Sequence, residues 1–226
     1  MIAQIALILF IGLYIANLML RPFEQISRHC HNLLNGENTS EYNSDFFSDL
    51  KLLTSFSEYF FNALSRVIKD PKDEVVVPKK YKKFHTPIFE AGFFFQFSFL
   101  ILIISVLNFI GVYHFVQNLY EAVLKFAELT LASDKHSTDF LLIQYQVFQT
   151  AITLTLAFHI LINIFLVFHL YFKVAIPAFG IFATMRSYLK GNRKARIHLL
   201  GHYFLRRDTK VINLYLREVE KKLTQN

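Results

Sequence analysis

At 226 residues, 54% of them hydrophobic and with a mean hydropathy of +0.34, the chain is too apolar for an ordinary soluble domain. Its formal net charge of +7 suits an anionic lipid surface, and its single cysteine excludes an intrachain disulfide framework.

In chain order, residues 1–20 form the first of three stretches long enough to cross about 30 Å of hydrocarbon at about 1.5 Å per residue. No basic residue precedes this apolar run and no small-x-small site follows it, so it reads as a retained anchor rather than a signal peptide. Residues 21–67 carry a short helix from Pro22 to about Asn35, a polar connector, and a second helix from about Asp45 to Val67. Asp70-Pro71 ends that helix, because proline brings no N–H to the ladder and disfavours the helical conformation before it. Residues 68–90 are a basic linker whose KKYKK cluster is expected on lipid headgroups. A second span follows at 91–115, an outer helical hairpin at 116–147 turning near Ser133 to Ser137, and a third span at 148–172. Residues 173–226 repeat the first arrangement: a helix from Pro177 to about Lys190, a longer connector, and a helix from about Thr209 to Leu223.

Lys and Arg set the expected topology. Residues 21–88 carry ten of them, residues 173–226 twelve, and residues 116–147 only Lys125 and Lys135. By the positive-inside rule the N-terminus lies outside, both basic segments lie in the cytoplasm, and the hairpin lies outside. The fold class expected is an all-α membrane protein with three transmembrane helices, N-out and C-in, and two cytoplasmic helix-connector-helix units. A nucleic-acid role for Arg193, Lys194, Arg196, Arg206 and Arg207 is disfavoured, since juxtamembrane bases follow from topology alone.

One spacing occurs twice. Pro22 is followed by Ile26, Cys30, Leu33 and Gly36; Pro177 is followed by Ile181, Met185, Tyr188 and Gly191 at the same offsets. An apolar seam stepping by three and four residues, closed by a glycine, describes a helix packing one stripe against partners. In the last helix Ile212, Leu216 and Val219 continue such a seam, followed by Leu223. Arg186 lies off the seam, so its replacement by alanine is expected to be mild. The rival reading of each seam is an amphipathic helix lying on the bilayer; two copies at one spacing favour a bundle.

At these residues the sequence resembles HAMP domains, the parallel helix-connector-helix modules that join transmembrane helices to outputs in chemoreceptors and sensor kinases. In the first unit the resemblance rests on Arg21-Pro22-Phe23, the seam and Gly36-Glu37, with Asp49-Leu50 falling where that family starts its distal helix. In the second it rests on Pro177, Gly191-Asn192 and Arg206-Arg207-Asp208, similar to a variant in small bacterial membrane proteins loosely catalogued as methyl-accepting chemotaxis proteins. The resemblance implies a HAMP-domain protein without an output domain in the bacterial inner membrane. It would partner membrane lipids and other membrane or signalling proteins, with its bundles formed either in a homodimer or by intrachain pairing of the two units. The function implied is non-catalytic signal relay; the alternative is a structural or anchoring subunit of a larger envelope assembly.

His159, Asn163 and His169 are polar groups inside the third span, where ionisable residues are functional candidates and interhelical hydrogen bonding is the commoner role. His29-Cys30-His31 is a poor metal site, because consecutive helical positions point in different directions. Neither a nucleophile motif nor a phosphate loop is found, so no catalytic activity, cofactor or metal is expected.

Overall fold

The computed structural model describes residues 2–37, 42, 50–70, 75–84, 86–87, 89–131 and 135–225. Among these all regular structure is helical. The elements are α1 (Ile2–Leu34), α2 (Lys51–Lys69), the single turn α3 (Lys79–Lys82), α4 (Ala91–Leu131), α5 (Lys135–Leu189) and α6 (Arg206–Gln225), with a 3-10 turn at Tyr203–Leu205 leading into α6. The chain divides into two compact units, one of Met1–Leu13 and Phe97–His169, the other of Tyr14–Gln96 and Leu170–Asn226.

The first unit is built from long apolar helices. Ala91–Ala127 in α4 and Ile143–Leu189 in α5, both with a mean hydropathy of 2.3, are long and apolar enough to span a membrane. Only 22% of the α4 window and 6% of the α5 window are buried, which separates them from the core helices of a soluble protein. Phe99, Leu102, Phe158, Leu161 and Phe165 instead turn outward. Tyr120 joins the two helices, stacking 5.9 Å from Phe148 and lying 4.9 Å from Tyr145. Gln149 Nε2 donates to the Tyr145 hydroxyl at 2.8 Å, and that hydroxyl donates to Gln117 Oε1 at 3.3 Å.

The second unit packs the later part of α1, all of α2, the end of α5 and α6 around one apolar core. Phe23, Ile26, Cys30, Phe56, Phe60, Leu64, Ile181, Phe182, Met185, Tyr188, Ile212 and Leu216 are completely enclosed. Amphipathic α2 and α6 reach this state by turning one stripe inward and leaving Lys, Arg and Glu on the other face. Pro22 and Pro177 sit inside unbroken helices rather than at helix starts. Each removes one ladder hydrogen bond, yet both rings are buried, so packing holds the helix through the proline.

Candidate functional site

The seam residues converge in the second unit. Ile26, Cys30, Ile181, Met185 and Tyr188 all have no exposed surface, and Leu33 is half-buried. Their partners come from both helix-connector-helix segments. Phe56 lies edge-on to Phe182 at 4.6 Å, Phe60 to Tyr188 at 6.3 Å, His29 to Phe61 at 4.5 Å, and Phe61 tilts against Tyr215 at 5.9 Å. The Ser57 hydroxyl meets Met185 Sδ at 3.8 Å, and the Tyr188 hydroxyl donates to the Leu216 carbonyl at 3.1 Å. Burial pushes the Tyr188 hydroxyl up to about 12, so it stays a protonated donor. The same cause raises the Cys30 thiol and keeps it inert.

Both seam helices end in the same way. Gly36 and Gly191 adopt φ of 81° and 100°, the left-handed region that glycine enters at no steric cost. Gly36 N–H bonds the Leu33 carbonyl and Glu37 N–H bonds that of Asn32; Gly191 N–H bonds the Tyr188 carbonyl and Asn192 N–H that of Ser187. This paired pattern is a Schellman closure, present at both sites.

The repeat extends well beyond these helices. Each residue of the second copy stands 155 positions after its counterpart, as Pro177 stands after Pro22, and the offset holds from Ile15 and Leu170 to Leu64 and Val219. The distal helices α2 and α6 begin at Lys51 and Arg206, each fifteen residues after its glycine, so the expected longer second connector is not found. Along them Ser57, Phe60, Phe61 and Leu64 are buried in one copy, and Ile212, Tyr215, Leu216 and Val219 in the other. Tyr42 and Ile197, both enclosed, plug the two connectors onto the core, while Leu50 and Leu205 do the same at the distal-helix starts. Spacing alone did not single out Tyr42, Ile197 or Leu205; continuing the offset past Gly36 would have found all three.

The acidic positions do not correspond. Asp49 lies outside the described residues, whereas Asp208 sits in the first turn of α6, in register with Leu53. Its carboxylate complements the positive end of α6.

Local fastenings also differ between the copies. α2 starts without a side-chain cap of its own, and Glu90, just before α4, supplies one from a distance in sequence. Its carboxylate accepts from the N–H groups of Lys51 at 2.5 Å and Leu52 at 3.1 Å, while its own N–H donates to the Tyr171 hydroxyl at 2.8 Å. In the second copy Asn213 holds the connector, donating to the Ile197 carbonyl at 2.9 Å and accepting from its N–H at 2.8 Å, and Arg196 pairs with Glu220. Arg186 is not idle: its guanidinium donates to the carbonyls of Tyr81 at 3.0 Å and Phe84 at 2.6 Å and covers the Phe182 ring. It clasps the KKYKK turn, whose Tyr81 ring is wedged against Phe56, so the mild effect expected for Arg186→Ala gives way to a measurable loss.

In the first unit, His159 lines a cavity of about 330 Å³ with Asn108 and Tyr113. Asn163 is half-buried one turn on, with no hydrogen-bond partner for its Nδ2 among the described residues, and His169 is exposed. Among the described residues no three His, Cys, Asp or Glu side chains gather as metal ligands. Of the His29-Cys30-His31 run, His29 lies edge-on to Tyr42 and Phe61, Cys30 is enclosed, and His31 faces Asn35. No family model, curated protein or solved structure matches the chain.

Proposed function

We propose that the chain is a non-catalytic transmembrane signal-relay protein whose two HAMP-like units form one intrachain bundle. In this reading α1 supplies a third span over its first twenty residues, the N-terminus lies outside, and the bundle lies in the cytoplasm of a bacterial inner membrane. Helix movement in the bilayer changes the packing of α1 and α5 against α2 and α6, and other membrane or signalling proteins read that change. It needs neither cofactor nor metal and contacts no nucleic acid.

The observation that carries the reading is the 155-residue repeat with a shared core: matching prolines, seams, glycine closures and distal stripes in both copies. A relay also requires a mechanical path from membrane helix to distal helix. The Glu90 cap on α2 and the continuity of α1 and α5 through their prolines supply candidates for it. Such a bundle signals only with two arrangements separated by a few kcal/mol.

Spin labels on cysteines placed at the equivalent exposed ends of the distal helices, Lys69 and Thr224, test the proposal in nanodiscs; enclosed Cys30 stays unlabelled. Two distance populations whose ratio moves with bilayer thickness are expected. One invariant distance would reject the relay and leave the structural anchoring role.

A further inference from the structure

The second connector ends in an exposed apolar tip beside a pair of free bases. Leu200 is 94% exposed, Tyr203 82% and Phe204 47%, although the residues around them are fastened down. Ile197 and Leu205 are enclosed, and Leu199 lies so close to α5 that a Cβ on Gly180 would meet its Cδ2 at 2.9 Å. The tip is therefore held out by its own anchors, turning at Gly201 with φ of 78°. Arg206 and Arg207 follow at once, both exposed and without an ion pair among the described residues.

His202, against Phe204 at 5.7 Å, is held below the usual histidine value by burial and by the nearby Lys173 ammonium. Lys173 is the first charged residue after the apolar run that begins at Phe140, and the Leu199 contact at Gly180 sets the connector against the stretch of α5 that follows that run. Three exposed apolar side chains and two free guanidinium groups on that connector match the chemistry of an interfacial anchor: rings and a leucine enter the headgroup boundary while arginines bind phosphates. We propose that Leu200, Tyr203 and Phe204, with Arg206 and Arg207, form a membrane-docking loop that inserts into an anionic phospholipid leaflet. The proposal rests on the reading of α5 as a membrane span.

Docking would fix the start of α6 at the bilayer surface, so that surface charge, as well as helix movement, bears on the bundle. At the positions matching Leu200 and Phe204 the first copy carries Asp45 and Asp49.

The chain contains no tryptophan, which makes Tyr203→Trp a unique reporter. In full-length protein in phosphatidylglycerol nanodiscs, Trp at 203 should emit at short wavelength and be quenched by lipids brominated high in the acyl chain. Zwitterionic nanodiscs, or Arg206→Gln with Arg207→Gln, should weaken insertion by about fivefold per arginine in the inserted-to-free ratio. A second reporter, Phe158→Trp on the outward face of α5, reads the span itself. Quenching at 158 without quenching at 203 overturns the docking loop alone; no quenching at either removes the membrane reading with it. Short-wavelength emission at 203 without quenching would mean that protein covers the tip, and equal quenching in zwitterionic lipid would remove the anionic specificity. Either result rejects the proposal.

Discussion

The two helix-connector-helix copies share a core and differ at their rims. Inside, the seam and distal-stripe positions are enclosed in both copies except at Leu33, half-buried where Tyr188 is enclosed, and side-chain sizes are exchanged between copies: Met185 touches Ser57, whereas the counterparts are small Cys30 and large Ile212. A large residue facing a small one in each copy is what close packing demands. At the rim the first copy takes a cap from Glu90, a residue outside the repeat, while the second is fastened within itself by Asn213 and the Arg196–Glu220 pair. The fastenings are free to diverge: the first copy is tied to the residue just before α4, the second to itself.

The largest test of equivalence is a charge in the shared core. Ile26→Asp and Ile181→Asp, at positions with no exposed surface, should each cost about 4 kcal/mol and lower the thermal midpoint to a similar degree. A large loss in only one would break the comparison. Next come the facing aromatics: Phe60→Ala and Tyr215→Ala should each cost about 3 kcal/mol, measured as the shift in denaturant midpoint. The rims should separate the copies. Glu90→Ala removes two bonds from the α2 start, and by about 1 kcal/mol should increase hydrogen exchange in α2 while sparing α6. Asn213→Ala should do the converse for the 195–199 connector.

Smaller still, Gly36→Ala and Gly191→Ala should cost about 1 kcal/mol each, since a Cβ would meet nothing within 4 Å and only the left-handed backbone is strained. Unequal costs would show that the two closures bear different loads. The smallest effect is a pH dependence at a position where the copies differ, His29 in the first and Thr184 in the second. Burial lowers the pKa of His29 below its unfolded value of 6.5, so the unfolded chain takes the proton first. Stability from this site is therefore complete above about pH 6.5 and falls as the pH drops through the folded-state value. His29→Thr, which installs the residue found at Thr184, should flatten that part of the stability profile in a urea titration series.

The seams and closing glycines were legible because they are local: helical period and a left-handed C-terminus are written in spacings of three, four and fourteen residues. The distal stripe at Ile212, Leu216 and Val219 was legible for the same reason. Glu90, Asn213 and Arg186 were not, because their roles come from partners 16 to 105 residues away that no local pattern names. The first connector was misjudged relative to the second because polar composition shows where a connector is but does not count its residues. Leu50 and Leu205 set that count, and their burial is a tertiary fact.

A bundle assembled from two chains obeys mass action: dilute the protein and half of each core is lost to solvent. Here the complementary halves lie on one polypeptide, and their encounter is unimolecular. The pairing is therefore insensitive to expression level, and a substitution in either half meets the same partner in every molecule. That fixed pairing is what lets one half keep a distant carboxylate cap and an acidic connector while the other keeps neither.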